Sequence, residues 1–98
     1  MEKDFYYTEL FELYKNLLTD KQKELFESHY IFDLSFAEIS QPQGISRQSV
    51  SVGLKKVREK LDEYELALGL YQKQTAIKQA VSTLEEGVKD KILEIIGR

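Results

Sequence analysis

Cysteine is absent from this chain, which excludes disulfide bonds and metal sites built on thiolates. There is one proline and there are five glycines, so few residues interrupt long helices. No run of about 18 apolar residues is present, which argues against a membrane-spanning helix. The opening MEKDFYY also lacks the apolar core of a secretory leader. We therefore expect a protein of the reducing cytoplasm with no membrane span.

The chain also lacks the arrangements of residues from which catalytic and metal sites are built. His29 is the only histidine, whereas a zinc site needs about four nitrogen or sulfur ligands. Asp62–Glu63 and Glu85–Glu86 are sequence neighbours, so on a helix the carboxylates of each pair point about 100° apart and cannot share a substrate. No glycine-rich loop for a phosphate is present. We predict that the protein is not an enzyme and uses no cofactor and no metal.

Charge is distributed unevenly along a chain whose net charge is -3. Residues 41–60 contain five lysines or arginines and a single acidic residue, whereas the acids outnumber the bases both before and after this block. A concentrated basic block is typical of a surface that binds nucleic acid. The alternative is that the block is simply the solvated face of a helix.

Helical spacing of apolar residues indicates two helices before the basic block. Between Phe5 and Leu18, apolar residues recur at 6, 10, 13 and 17 and again at 7, 11, 14 and 18, which predicts a helix with a wide apolar face. Thr19 and Gln22 then have the spacing of a capping box. This box predicts a second helix that ends near Phe32.

The stretch SFAEISQPQGISRQSV predicts a tight corner between two further helices. A second capping box, Ser35–Glu38, starts a short helix. Pro42 and Gly44 end that helix, and glycine suits the left-handed conformation of a turn. We expect Ile45 to fill the corner and Ser46 to cap the next helix.

The helix after the corner has the most regular apolar pattern in the chain. Its apolar residues are separated by alternating steps of four and three, like the seam of a coiled coil; they are Val50, Leu54, Val57, Leu61, Tyr64, Leu68 and Tyr71. The second half of this pattern either pairs two chains in a homodimer or packs against the first and last helices of the same chain. A dimer seam would consist of Leu61, Tyr64, Leu68 and Tyr71. Gly69 is a point at which the helix could kink.

The remaining residues predict one more helix. A third capping-box pattern, Ser82–Glu85, precedes a helix that ends at Gly97, and no alternation typical of strands is present. We therefore predict an all-α fold with a single helix-turn-helix domain over residues 1–98. It would have a head of three to four short helices with its core at about 19–60, a long heptad-patterned recognition helix, and a C-terminal helix. The extension at 61–98 would serve dimerisation.

The polar residues that follow the corner suggest a function. In a helix-turn-helix, the start of the second helix enters the major groove of DNA, where Arg can bind guanine and Gln can bind adenine. Each such pair is worth roughly 1–3 kcal/mol of discrimination between bases. The expected base contacts are Arg47, Gln48, Ser51 and Lys55, with Val52 against a thymine methyl group. The expected phosphate contacts are Ser46, Lys56 and Arg58.

Two resemblances support this interpretation. Ser35–Leu54 resembles the promoter-reading helix-turn-helix of bacterial sigma factors. The stretch FELYKNLLTDKQKELFESHYIFDLSFAEIS, with GISRQSV and KLDEYELALGLYQK after it, resembles the YlxM family of small bacterial helix-turn-helix proteins. That family is described as DNA-binding, and its genes usually neighbour those of the signal recognition particle GTPase and its receptor. The resemblance therefore implies a regulatory role in that pathway.

The chain departs from the family pattern at Ser40, at Pro42–Gln43 and at Gly53, which predicts a looser corner. Three functions stay open. The first, which we favour, is a regulator that binds double-stranded DNA. The second is an accessory factor that binds RNA or the GTPase of the signal recognition particle. The third is a protein-interaction adaptor without DNA contacts.

Overall fold

The fold consists of helices throughout the part of the chain that can be described. The computed structural model of the protein describes residues 2–82, 84 and 86–97, and these form six α-helices and no strand. The helices are α1 (Glu2–Tyr14), α2 (Asp20–Phe26), α3 (Phe36–Gln43), α4 (Arg47–Leu68), α5 (Leu70–Val81) and α6 (Glu86–Ile96). The predicted all-α class is confirmed. The third capping-box pattern depends on Thr83 and Glu85, which lie outside the described residues.

Two short segments extend the first helices in other geometries. A 3-10 turn, Lys15–Leu17, follows α1, and a π-helical turn, Glu27–Ile31, follows α2. Asp33, two residues after the end of this turn, has a left-handed φ of 58°. Among the described residues, no helix is long and apolar enough to cross a bilayer.

The first two of the three predicted capping boxes are present. Thr19 Oγ1 accepts the Gln22 N–H at 3.1 Å, and Gln22 Oε1 accepts the Thr19 N–H at 3.0 Å. Ser35 and Glu38 make the same pair of bonds at the start of α3. The Ser35 backbone N–H, followed by its side chain, holds the pKa of Glu38 below its usual range. These bonds satisfy amides that the first turn of a helix leaves without partners, so local sequence decides where both helices begin.

The main core lies where α1 crosses α4. Phe11 and Phe26 stack with their ring centroids 4.3 Å apart, and both side chains are almost completely buried. Burial of a side chain of this size contributes about 1.5–3 kcal/mol to stability. The wide apolar face predicted for the first helix therefore packs inside the same chain. The cluster consists of Leu10, Phe11, Tyr14, Leu18, Phe26, Val57 and Leu61.

A second, smaller cluster holds α3 against the first half of α4. Ile39 of α3 is buried against Val50 and Leu54 of α4. Leu25, Leu34 and Phe36 are partly buried around these three residues. This is the helix-turn-helix pair that the sequence predicted, and it fixes which side of α4 is left exposed.

The heptad-patterned helix is interrupted at Gly69. The backbone of Gly69 is left-handed, with a φ of 62°, and it ends α4 after 22 residues. The first amides of α5 are then capped by side chains from other helices. The Tyr14 hydroxyl accepts the Leu70 N–H at 2.9 Å, and Glu65 accepts the N–H groups of Tyr71 and Gln72 at 3.0 and 3.1 Å. Tyr71 thus belongs to α5 rather than to the long helix.

Most of the predicted dimer seam is occupied inside the chain. Leu61 has no exposed surface, which corrects the predicted seam at that position. Tyr64 packs against the main core and donates its hydroxyl to the Leu17 carbonyl at 3.1 Å. Tyr71 meets Tyr6 edge to face, with centroids 5.3 Å apart. Leu68, at 47% exposure, is the one member that remains well exposed. For the other three, the described packing is the intramolecular alternative.

Candidate nucleic-acid interface

The corner between α3 and α4 is a regular helix-ending turn. Gly44 has a left-handed φ of 67°, as predicted. Its N–H donates to the Gln41 carbonyl at 3.2 Å, and the Ile45 N–H donates to the Ser40 carbonyl at 3.2 Å. These two bonds are those of a Schellman motif. Both bonds are formed although Pro42 lies in the last turn of α3, and the looser corner stays a prediction.

The side chain of Ile45 does not fill the corner. It is 41% exposed, so the expectation that it plugs the space between the helices is wrong. The interior there is already filled by Ile39, Val50 and Leu54. Ile45 instead lines a surface groove between α2 and α4.

The start of α4 is set by a serine cap. The Ser46 hydroxyl accepts the Ser49 N–H at 3.0 Å and lies 2.9 Å from the Ser49 hydroxyl. The capping role predicted for Ser46 is confirmed, and its hydroxyl is engaged in that role. Arg47 is then the first helical residue, and no acidic residue lies in the first turn.

The first half of α4 has two opposite faces. Val50, Leu54 and Val57 are buried, because steps of four and three return to the same side of a helix with 3.6 residues per turn. Within the part of the chain that the structure describes, the cationic residues on the exposed side form no salt bridge. The exposed side brings together most of the predicted contacts: Arg47, Gln48, Ser51, Val52, Lys55 and Lys56.

Arg58 does not belong to this exposed face. It lies four residues after Leu54, so it is close to the buried row and is only partly exposed. Its Nη1 donates to the Tyr30 hydroxyl at 3.0 Å. Arg58 therefore joins α4 to the π-helical turn, and its contact with phosphate stays a prediction.

Sequence reasoning singled out four of the six residues that line a cleft on this face, but it missed Ser49 and the packing role of Gly53. An open cleft of about 390 Å³ is lined by Gln48, Val52 and Lys56 together with Ser46, Ser49 and Gly53. A Cβ atom on Gly53 would lie 2.8 Å from Leu25 Cδ2, which is closer than side chains approach one another. Gly53 therefore allows α2 to lie close to α4, and its departure from the family pattern has a packing reason. No local signal in the sequence indicates which helix approaches it.

Comparison with known proteins decides the family. Residues 1–96 match the profile of UPF0122, which is described as "Putative helix-turn-helix protein, YlxM / p13 like". The chain belongs to this family. A UPF0122 protein of Caldanaerobacter subterraneus subsp. tengcongensis is 43% identical over 87 residues, which is 88% of this chain and 74% of the relative. One of Ureaplasma parvum is 45% identical over 71 residues, or 72% of each. One of Geobacillus sp. (strain WCH70) is 36% identical over 91 residues, or 93% and 83%.

The description of the family agrees with the helix-turn-helix geometry of α3 and α4. UPF0122 is described by its helix-turn-helix, and its description names no enzymatic activity. Among the described residues, no group of three or more His, Cys, Asp or Glu side chains could hold a metal ion. The predicted resemblance to the YlxM family is confirmed, and a helix-turn-helix of this kind points to nucleic acid as the partner.

Proposed function

We propose that this UPF0122 protein binds double-stranded DNA and reads the major groove with the first half of α4. The observation that carries the proposal is the contrast between the two faces of that segment. One face is buried against α2 and α3, and the other exposes Arg47, Gln48, Lys55 and Lys56 without intramolecular ion pairs among the described residues. The major groove is about 12 Å wide and admits a helix of this diameter.

The chemistry of the exposed residues fits readout at the helix tip. Arg47 and Gln48 are the first two residues of α4, and both can make bidentate bonds to purines. Val52 is 46% exposed beside Gln48, where an apolar side chain would meet a thymine methyl group. Lys55 and Lys56 lie two turns further on, where Lys55 would be the last of the base contacts and Lys56 would contact a phosphate.

The affinity of a single helix-turn-helix head for duplex DNA should be modest and should depend strongly on salt concentration. Each neutralised phosphate contributes a slope of about -0.9 to the dependence of log K on log salt concentration, and only a few cations lie on this face. Glu59, Asp62 and Glu63 follow on the next turns of α4 and are exposed. These carboxylates would repel the phosphate backbone of the DNA, so we expect the DNA-binding segment of α4 to end near Lys56.

Substitution of Arg47 tests base readout. A preferred duplex would first be selected from a random pool, and Arg47→Ala would then cost about 1–3 kcal/mol of discrimination at one base position. Lys60→Ala is the matched control, because Lys60 lies on the same helix but its Nζ is 3.4 Å from a carboxylate oxygen of Glu63. Fluorescence anisotropy titrations measure both. Equal effects of the two substitutions at every base position would contradict readout by Arg47.

Regulation of transcription and a role in the signal recognition particle pathway are the finer parts of the proposal. They rest on the family resemblance, and the protein would act in the cytoplasm. Titration against duplex DNA, structured RNA and the purified GTPase at two salt concentrations separates the alternatives. Preference for duplex DNA supports a regulator, preference for RNA supports an accessory factor, and salt-independent binding to protein alone supports an adaptor.

A homodimer remains a prediction, and it would raise the affinity by placing two heads on two half-sites. The residues available for it differ from those first expected, because Leu61 is buried within the chain. Leu66, at 90% exposure, and Leu68 are the exposed apolar side chains near the end of α4. Static light scattering at micromolar concentration measures the oligomeric state directly, and a monomer would remove the paired-head arrangement.

A further inference from the structure

A groove of about 380 Å³ lies between α2 and α4, beside the face proposed to read DNA. Its lining includes Lys21 of α2, Ile45 of the corner and Lys56 of α4. The groove shares Ser49, Gly53 and Lys56 with the cleft on the exposed face of α4. The two depressions therefore form one continuous surface that leads from the tip of α4 to α2.

The charge of the groove favours an anion. Lys21 and Lys56 are both exposed, and they reach the groove from two different helices. Glu24 is the only acidic residue among those that line it. The space beside Gly53 lets Leu25, and with it α2, lie close to α4, so lysines of both helices line one groove. Two lysines that line one space are well suited to a phosphate group.

The apolar part of the groove indicates what is attached to that phosphate. Ile45 is 41% exposed and lies at the rim of the corner, where it adds little to the packing of α3 on α4. Leu25 lines the same groove and is partly buried. An apolar side chain next to cations matches a ligand with carbon surface beside its phosphate. A deoxyribose-phosphate unit has this composition, and most contacts of proteins with DNA go to phosphate and sugar.

We infer that this groove binds a sugar-phosphate unit of the DNA backbone next to the bases read by α4. Lys21 and Lys56 contact the phosphate, and Ile45 packs against the deoxyribose. The inference rests on the proposed function and extends it, because it adds α2 to the interface. Lys21 is a contact that the sequence pattern did not single out, since it lies outside the basic block.

Replacement of Lys21 by glutamine tests the inference in the full-length protein. In titrations with duplex DNA over a series of salt concentrations, Lys21→Gln should make the slope of log K against log salt shallower by about 1. The ratio of affinities for the preferred and a random duplex should stay unchanged, because a phosphate contact carries no sequence information. Ile45→Ser should lower the affinity several-fold without changing the slope.

Lys23→Gln is the matched control. It makes the same change of charge on the same helix, but Lys23 Nζ lies 3.4 Å from an Asp20 carboxylate oxygen and the residue is not part of the groove. If both glutamine variants change the slope equally, or if neither changes it, the groove site is wrong. That result would leave the proposed function standing, because the effect of Arg47→Ala on base preference does not depend on the groove. If the unmodified protein does not bind duplex DNA at any salt concentration, the proposed function and this inference both fail.

Discussion

The two halves of α4 have the same spacing of apolar residues but differ in what surrounds their polar side chains. In the second half, acidic side chains are bonded to α1: Tyr7 donates its hydroxyl to Asp62 at 3.0 Å, and Tyr14 donates to Glu65 at 2.7 Å. In the first half, the cations on the exposed side make no such bonds among the described residues. The comparison shows that one buried heptad row can run beside polar side chains that are bonded within the chain at one end of a helix and beside an exposed cationic surface at the other.

The largest expected effect comes from removing the buried seam of the second half. Leu61→Ala should lower the free energy of unfolding by about 2–5 kcal/mol, because it leaves a cavity in the main core. Leu66→Ala on the same helix is the control, since Leu66 is 90% exposed and its loss should change stability by less than about 0.5 kcal/mol. Urea unfolding followed by circular dichroism measures both. Similar losses for the two variants would mean that Leu61 is not covered by α1.

A smaller effect is expected from the hydroxyl that joins α1, α4 and α5. Tyr14→Phe removes the bond to Glu65 and leaves the Leu70 N–H without its acceptor, which should cost about 1–3 kcal/mol. Tyr64→Phe is the control, because it removes only an exposed bond to a carbonyl and should cost less. Urea unfolding again provides the comparison. DNA binding by the tip of α4 should be the same in both variants.

The contribution of Tyr14 should depend on pH in one direction. Burial, followed by the bond to Glu65, raises the pKa of Tyr14 above its ordinary value. The folded state therefore holds this proton more tightly than the unfolded state, and the stabilisation is fully present below the ordinary pKa of tyrosine. It is lost as the pH rises through the raised pKa. The stability difference between the unmodified protein and Tyr14→Phe should narrow in strongly alkaline solution, and a constant difference would contradict this linkage.

The smallest effect concerns the glycine in the first half of α4. Alanine favours a helix over glycine by about 1 kcal/mol, but a Cβ on Gly53 would lie 2.8 Å from Leu25 Cδ2. We expect Gly53→Ala to gain nothing, because the displacement of Leu25 offsets the gain in propensity. Gly87→Ala in α6, where an added Cβ would meet no atom beyond its own helix turn within 4 Å, should be stabilising by up to about 1 kcal/mol. Thermal unfolding of the two variants checks this order, and a larger gain at Gly53 would show that α2 moves freely.

Local signals explain what could be predicted from the sequence. The capping boxes at Thr19 and Ser35, the glycine turn and the Ser46 cap each depend on residues within a few positions of one another. The exposed side of α4 followed from the helical period, because the buried row fixes its opposite face. These features place most of the candidate interface without knowledge of tertiary contacts.

Features that depend on which helices pack against each other could not be predicted from local sequence signals. A heptad pattern states that one side of α4 is buried, but it does not state whether α1 or a second chain covers Leu61 and Tyr64. The bond of Arg58 to Tyr30 joins residues 28 positions apart, and the π-helical turn that places Tyr30 has no simple sequence signal. The exposure of Ile45 follows from the filling of the corner by other residues.

The shared cap at Gly69 sets a limit on how the protein can be shortened. A fragment that stopped at the end of α4 would keep the Tyr14 hydroxyl and the Glu65 carboxylate but lose the amides of Leu70, Tyr71 and Gln72 that bond to them. The Glu65 carboxylate would then keep the Tyr14 hydroxyl as a donor but lose both backbone N–H groups that offset its partial desolvation. Expression fragments intended to isolate the helix-turn-helix head should therefore retain α1 at one end and continue past Gln72 at the other.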